Sequence, residues 1–456
     1  MKDLYLVNYS VKGIKTIDEL ISLSFYKKTI SRNVNTKEYN VKGIYGMNGS
    51  GKSAIITSVD ILRKILIDPG YLKNPIAQKD LDAIINKKTE ELFIEVDFIF
   101  GGDKEMAYFR YCLRMSKDSI GKYIISYEKL STKNAFSKSD TMNTIFEIRN
   151  GAVAFIIGNG EDEFSNALLQ KTINLLDSTS LCALFYEKFL SGILEDKKKV
   201  SNLLSVCLCA LFILGKKIYV YLDQSDDHRE YILNTTMKYD LLKSNLEIDA
   251  LMNDFIKLDR DYFGIIFANE NYVPKELFNL FKKNVDKLYE FLHIFKSELQ
   301  GIEIDRKENQ NSFICNLVMV YDSYKIHAEF ESTGIKKLIK LYAYLKKMTE
   351  GEIVFIDEFD SNLHDVYLCA LLEYLMEYGE GQLCFTTHNV GPMDILKRNK
   401  KSIDFLSVDH KIYPWTTNGN YSPSKLYRNG MIEGSPFNVD SIDFIGVFDS
   451  SEEDDA

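Results

Sequence analysis

Between Val41 and Ile67 the chain changes its hydrophobic period once, and glycines bracket the change. Val41 to Tyr45 is a short, largely apolar run that predicts a strand. Ala54 to Ile67 repeats its apolar residues at three-to-four spacing and predicts a helix with one buried face. Residues 4–30 and 92–130 hold short β-branched and aromatic runs, such as Leu92-Phe93-Ile94-Glu95-Val96-Asp97-Phe98, which predict strands. From about 160 to 300 the pattern turns helical. Pro274 stands at a helix start, and Leu277, Phe281, Val285, Leu288, Leu292, Phe295 and Leu299 trace one apolar face that stops near Gly301. Leu203 to Gly215 is apolar almost throughout. It is shorter than the ~20 residues a bilayer-spanning helix needs, so it predicts a buried helix. Strand-like runs return at 313–330 and 352–356.

The glycine-rich break carries chemistry. Gly46-Met47-Asn48-Gly49-Ser50-Gly51-Lys52-Ser53 is a complete G-x-x-x-x-G-K-S phosphate loop, set between a predicted strand and a predicted helix. Asn48, Gly49, Ser50 and Gly51 supply backbone N–H groups around the phosphates, and the helix N-terminus adds the positive end of its dipole. Lys52 can reach the β- and γ-phosphates, and the Ser53 hydroxyl can ligate Mg²⁺. A chance glycine-rich turn is the competing reading, and the strand–loop–helix context weighs against it.

A second strand, Gly351-Glu352-Ile353-Val354-Phe355-Ile356, ends in Asp357-Glu358. An aspartate at a buried strand end can hold the Mg²⁺ shell, and an adjacent glutamate can orient or deprotonate a water. Alone the pattern is weak; beside a phosphate loop it gains weight. Phe330-Glu331-Ser332-Thr333-Gly334 opens a further predicted helix, either as an anion site or as an ordinary cap. Leu383-Cys384-Phe385-Thr386-Thr387 is a strand ending in His388.

Composition narrows the class. Of 456 residues, 45% are apolar and 27% charged, as in globular proteins. The net charge of −10 argues against nucleic acid or an anionic membrane as the default partner, although 56 Lys and Arg leave room for a local basic groove. The seven cysteines include no C-x-x-C pair, which fits reduced thiols in a cytoplasm and argues against a zinc site. The N-terminus lacks the pattern of a signal peptide, and residues 451–456 form an acidic tail.

Together, Gly46–Ser53, Glu331–Leu338, Phe355–His364 and Phe385–Asn389 resemble the ATP-binding-cassette ATPases of the SMC and RecF kind. More closely, the chain resembles the AAA-15, or overcoming-lysogenization-defect-like, ATPases. The resemblance is looser at Tyr127–Leu130, at Phe146–Gly151 and around Leu426–Phe448. It implies an α/β fold, an ABC-type ATPase head whose mixed sheet with flanking helices is split by a helical insertion. The implied order is an N-terminal lobe over 1–158, a helical insertion or arm over 159–300, a C-terminal lobe over 301–450 and the acidic tail. It further implies ATP and Mg²⁺ as ligands, with Lys52, Ser53 and Asp357 acting in cis, Ser332 and Gly334 acting on the nucleotide of a second copy, Glu358 as catalytic base, His388 as the γ-phosphate switch, and Asp360–His364 as the loop that communicates across the dimer. The family's metal-contacting glutamine has no convincing counterpart, since Gln78 lies in a helical setting.

The stretch after His388 offers no strand-ending carboxylate pairs, and Asp404, Asp409 and the terminal acids are dispersed. Any cleavage of nucleic acid is therefore expected to fall to a second polypeptide. By the resemblance, the expected function is the ATPase of a bacterial anti-phage or abortive-infection system, a homodimer or higher oligomer that gates a separately encoded effector such as a nuclease. The alternative is a RecF-like repair ATPase that binds duplex DNA, for which Lys397, Arg398, Lys400 and Lys401 and Lys336, Lys337 and Lys340 would supply a positive groove. A third reading is a scaffold that uses ATP only as a clamp.

Overall fold

The computed structural model describes residues 3–31, 34–101, 105–160, 163–187, 203–222, 265–309, 311–416 and 421–435. Among them the strands form three sheets. The central one is built from β3 (Val41–Gly46), β9 (Ile218–Tyr221), β14 (Ile353–Ile356), β15 (Gln382–Thr386), β16 (Ile403–Leu406) and β17 (Ile412–Pro414). Their order is β17-β16-β3-β15-β14-β9, parallel except for the β16–β17 pair. Every residue of β3, β14, β15 and β16 is buried. Parallel strands covered on both faces read as continuous apolar runs, as these do.

One face is covered by α1 (Lys52–Ile67), and the outer antiparallel sheet contributes to the same core. That sheet runs β2 (Ile21–Ser24), β1 (Asp3–Lys12), β4 (Glu91–Gly101), β5 (Met106–Lys117), β6 (Tyr123–Asn134), β7 (Asn143–Arg149) and β8 (Ala152–Ile156). Two short helices, α2 (Pro75–Ile84) and α3 (Glu163–Thr172), border it. The two sheets are joined by Gln382, whose side chain mimics a strand: its carbonyl accepts from the Leu6 N–H at 2.7 Å and its amide donates to the Leu6 carbonyl at 3.0 Å. The bond falls where β1 bulges between Leu6 and Asn8, so it supplies partners that a regular ladder would have supplied.

The described parts of the stretch expected as a helical insertion divide between cores: residues 203–218 pack into this one, whereas Val273, Phe281, Val285, Leu288 and Leu292 belong to that of the third sheet. The helix α4 (Leu203–Lys217) packs on α1 so closely that a Cβ on Gly215 would lie 2.8 Å from Ile67 and 2.9 Å from Leu66. It runs directly into β9, the edge strand beside β14. The apolar run Leu203–Gly215 is thus the buried helix its length predicted. Residues 188–202 and 223–264 of the expected arm, and the acidic tail 451–456, lie outside the described residues.

The other face of the central sheet is covered by α6 (Thr333–Thr349) and α7 (Asp365–Tyr378). The third sheet, of β10 (Asn271–Pro274), β12 (Ser312–Val320), β11 (Gly301–Asn309) and β13 (Lys325–His327), is covered by α5 (Phe278–Phe295). Its face is the predicted one: Phe281, Val285, Leu288 and Leu292 are buried. Asn40, at the entry to β3, holds the C-terminus of α7 by donating to the carbonyls of Leu375, Met376 and Gly379. Asp404 is not an isolated acid but a buried partner of Lys42, 2.6 Å away. Among the described residues no helix is long and apolar enough to cross a membrane.

Glu128, on β6, is fully buried. It accepts from the Tyr111 hydroxyl at 2.9 Å and from the Leu181 N–H at 3.1 Å. Burial lifts its carboxyl to about 7, while the Leu181 and Tyr111 bonds pull the other way. An unfolded glutamate ionises near 4.5, so the folded state keeps its proton over the interval between. Stability therefore falls as pH rises from about 4.5 to about 7 and is flat above. Glu128→Gln removes this dependence. Urea unfolding is expected to show the variant close to wild type at pH 4.5 and more stable at pH 8, by on the order of 3 kcal/mol.

Candidate functional site

Three neighbouring parallel strands end at the same edge of the central sheet, and each delivers a motif. β3 runs into the phosphate loop, where Gly49 and Gly51 take left-handed φ values of 78° and 104° and let the chain curl before α1 begins. Ile17, from the loop after β1, packs against Gly51, and a Cβ there would come within 2.9 Å of it. Asn48 and Gly49 face outward, Ser50 is buried, and Ser53 stands half-buried in the first turn of α1. Lys52 is buried and donates to the carbonyls of Gly46 and Met47 at 2.8 and 2.9 Å. Burial pulls its amine down to about 8, against the opposing charges of Asp357, Glu358 and Asp360.

β14 presents Asp357 and Glu358. Their neighbour on β15, Thr386, organises both: its hydroxyl donates to Asp357 Oδ1 at 2.5 Å and accepts from the Glu358 N–H at 2.8 Å. Asp357 is buried, whereas Glu358 is exposed and holds φ +48°, a conformation L-residues adopt at a cost. Phe359, fully buried, anchors the chain immediately after this turn. His388 follows β15 and is exposed. Its imidazole titrates below the usual histidine range, first through partial desolvation of the ring and next through the charge of Lys52, with Asp360, Glu358 and Asp357 opposing. Lys52, Asp357, Glu358 and His388 thus lie within one another's fields.

Ser332 and Gly334 belong to a neighbouring arrangement. Ser332 caps α6, accepting from the Ile335 N–H at 3.4 Å, and is exposed with Thr333. A Cβ on Gly334 would lie 2.8 Å from the Asn362 carbonyl, so this glycine lets α6 touch the 360–364 loop of the same chain. Glu331 is committed elsewhere: it accepts from the Tyr321 hydroxyl and from Lys296, 3.2 Å away. Lys337, expected on a basic surface, is buried and donates to the Glu358 carbonyl and to Ser361. Gln78 is held by the main chain of Leu72 and Tyr123, which leaves it a structural role.

Several participants escaped sequence reasoning. Thr386 carried a signal in the Thr-Thr pair before His388, but only its cross-strand neighbour reveals its bonds. Asn389 donates to Asp365 and ties the His388 turn to the start of α7. Lys15, with φ +48°, has its amine lowered by burial while Asp357 pulls it back up, which places it beside the strand end. Nothing in its local sequence marks it. The basic cluster expected to form a groove is largely neutralised: Arg398 pairs with Glu373, Lys400 with Glu38 and Lys397 with Asp394.

These residues could hold a nucleoside triphosphate with its divalent cation. Gly49 has open space on its Cβ side, and α1 opens at Gly51 with no side-chain cap for its N–H groups. One carboxylate and one hydroxyl suit Mg²⁺, which takes most of its ligands from water and phosphate. Among the described residues no cluster of three or more His, Cys, Asp or Glu could hold a metal by itself. A family model described as "AAA domain, putative AbiEii toxin, Type IV TA system" matches residues 221–394. That span contains Ser332, Gly334, Asp357, Glu358 and His388, but not Gly46–Ser53. Over it the chain is similar to an ATPase domain of the AAA and ABC kind. No curated protein matches the chain.

Thr386→Val keeps the shape of the side chain but strips a donor from Asp357 and an acceptor from the Glu358 N–H. The variant is expected to lose about 1–3 kcal/mol of stability in urea unfolding, with Thr386→Ser close to wild type.

Proposed function

We propose that this protein binds ATP with Mg²⁺ and hydrolyses it, and that two copies close head to head around two nucleotides to gate a separately encoded effector, such as a nuclease, in bacterial abortive-infection defence. The observation that carries the ATPase half is the convergence of Lys52, Asp357, Glu358 and His388 at the ends of adjacent parallel strands, the edge at which α/β sheets bind ligands. The effector and defence half draws on the family resemblance.

In this reading the loop N–H groups and Lys52 bind the phosphates, and Ser53 and Asp357 hold Mg²⁺. The cation, when bound, neutralises charge on the phosphate oxygens. Glu358 takes the proton of the attacking water as the bond to the γ-phosphorus forms and ADP departs. His388, on the neighbouring strand end, contacts the γ-phosphate. Ser332 and Gly334 of a second copy complete the site, which makes turnover depend on dimerisation. The neutralised cluster around Arg398 disfavours the duplex-DNA alternative.

The test is ATP binding and turnover by the purified chain. Lys52→Ala is expected to abolish nucleotide binding. Glu358→Gln is expected to retain binding, lose turnover about a hundredfold or more, and accumulate a dimer visible by light scattering. Ser332→Arg should bind ATP as a monomer and fail to turn it over. Absence of wild-type turnover would sink the ATPase reading, and wild-type turnover in Ser332→Arg would sink the two-copy site. Recovery of a stoichiometric partner protein with Glu358→Gln in ATP and Mg²⁺ from the native host would support effector gating; recovery of DNA with repair factors would favour the alternative.

A further inference from the structure

The turn from Glu358 to Ser361 closes on one atom, the Glu358 carbonyl oxygen. It accepts from the Ser361 N–H at 3.0 Å and from Lys337 Nζ at 2.5 Å. Lys337 also donates to the Ser361 hydroxyl, and its amine sits 5.8 Å from the centre of the Tyr221 ring. The Tyr221 main-chain carbonyl in turn accepts from the Asp357 N–H at 3.0 Å. A lysine ammonium is a compact charge with three donors, and burial makes each of its bonds count for more. Here it fixes the backbone of a residue whose φ of +48° the chain would otherwise relax.

Lys337 does not belong to the strand it serves. It lies on α6, five residues after the cap Ser332, and the first turn of that helix touches the same loop again. Thr333 Oγ1 is 3.4 Å from Asn362 Oδ1, and Gly334 meets the Asn362 carbonyl without room for a side chain. Helix α6 therefore grips residues 358–362 at both ends of the turn. A helix is stiff over five residues, so movement at Ser332 reaches Glu358.

We propose that Lys337 is the positioning residue for Glu358: it holds the carboxylate-bearing turn in its left-handed conformation and couples it to the position of α6. This rests on the ATPase reading above, with Glu358 as the base. Contact between Ser332 and the nucleotide of a second copy would then be transmitted to the base of the same chain, so that each site senses whether the other is filled. The role differs from that of a groove residue and from ordinary core packing, because it acts through one named carboxylate.

The experiment measures steady-state ATP turnover of the full chain for wild type, Lys337→Met, Lys337→Arg, Glu358→Gln and Lys337→Met with Glu358→Gln. Lys337→Met is expected to lower kcat about tenfold or more while KM for ATP and nucleotide affinity stay within twofold. Lys337→Arg, which keeps a charged donor, is expected to recover most of the loss. In the Glu358→Gln background, Lys337→Met is expected to cost nothing further, since the group it positions is gone. Sigmoidal dependence on ATP, where wild type has it, should become hyperbolic in Lys337→Met. Wild-type kcat in Lys337→Met overturns the proposal, as does an equal loss in both backgrounds, which would mark a structural role. If Lys337→Met does not fold, Lys337→Gln, with a shorter N–H donor, is read by the same criteria. Absence of wild-type turnover would instead overturn the ATPase reading itself.

Discussion

The register of three parallel strands is the constraint on which the site depends. Ile44 of β3 lies opposite Thr386 of β15, and Phe385 of β15 lies opposite Ile356 of β14, so the three strands reach the same edge together. Side chains alternate faces along a strand, and a slip of one residue would turn Thr386 to the other side of the sheet. The bonds from Thr386 to Asp357 and to the Glu358 N–H exist at this register alone. Burial enforces it: every residue of β3, β14 and β15 is covered, and the Gln382 side chain pins the far end of β15 to Leu6 of the outer sheet. A polar relay at one end of the strand and a polar clamp at the other fix a strand that is apolar between them.

Against that rigid edge, the residues after β14 are held in conformations the chain does not favour. Glu358 and Asn362 both have positive φ, at 48° and 60°. Strain of this kind persists where the surroundings over-determine it. Here Phe359 is buried between the two, Thr386 accepts from the Glu358 N–H and Lys337 donates to its carbonyl. The result is an exposed carboxylate on a backbone fixed from both sides of the peptide. The opposite holds for Glu331, which lies in an equally suggestive motif but has both carboxylate oxygens engaged by Tyr321 and Lys296. Proximity to a motif does not decide which acid is available; its partners do.

What the sequence revealed follows the same division. The loop Gly46–Ser53 was legible as a structure because it is a local pattern, two glycines with positive φ between a strand and a helix, and such patterns survive in one dimension. Asp357 and His388 were legible as residues at the ends of apolar runs. Ile218–Tyr221 was not, because four residues after Lys216-Lys217 are too few to carry a period of their own, and pairing with β14 is what makes them a strand. Thr386, Lys337 and Lys15 were illegible in their roles for a different reason. Their partners lie 29, 21 or more residues away, and only the fold brings them together. Lys337 looked like surface charge since it stands next to Lys336, yet helical geometry sends neighbouring side chains in different directions.

The electrostatics of the site bear on how the proposed phosphate loop would favour a polyanion over water. Lys52 is buried and bonded to two neutral carbonyls, and its amine is lowered to about 8, so the folded chain holds this cation at a cost. The acids that oppose the shift, Asp357, Glu358 and Asp360, recover part of it without forming a close ion pair with Lys52 in the described structure. A triphosphate entering among the loop N–H groups would bring the compensating charge to the place where it is missing, while a cation between the phosphates and Asp357 would relieve the repulsion created on the other side. Each charge is tolerable chiefly in the presence of the next. A chain with a net charge of −10 can thus still carry an anion site, because the local field at the strand ends, and not the sum over the surface, sets what binds there.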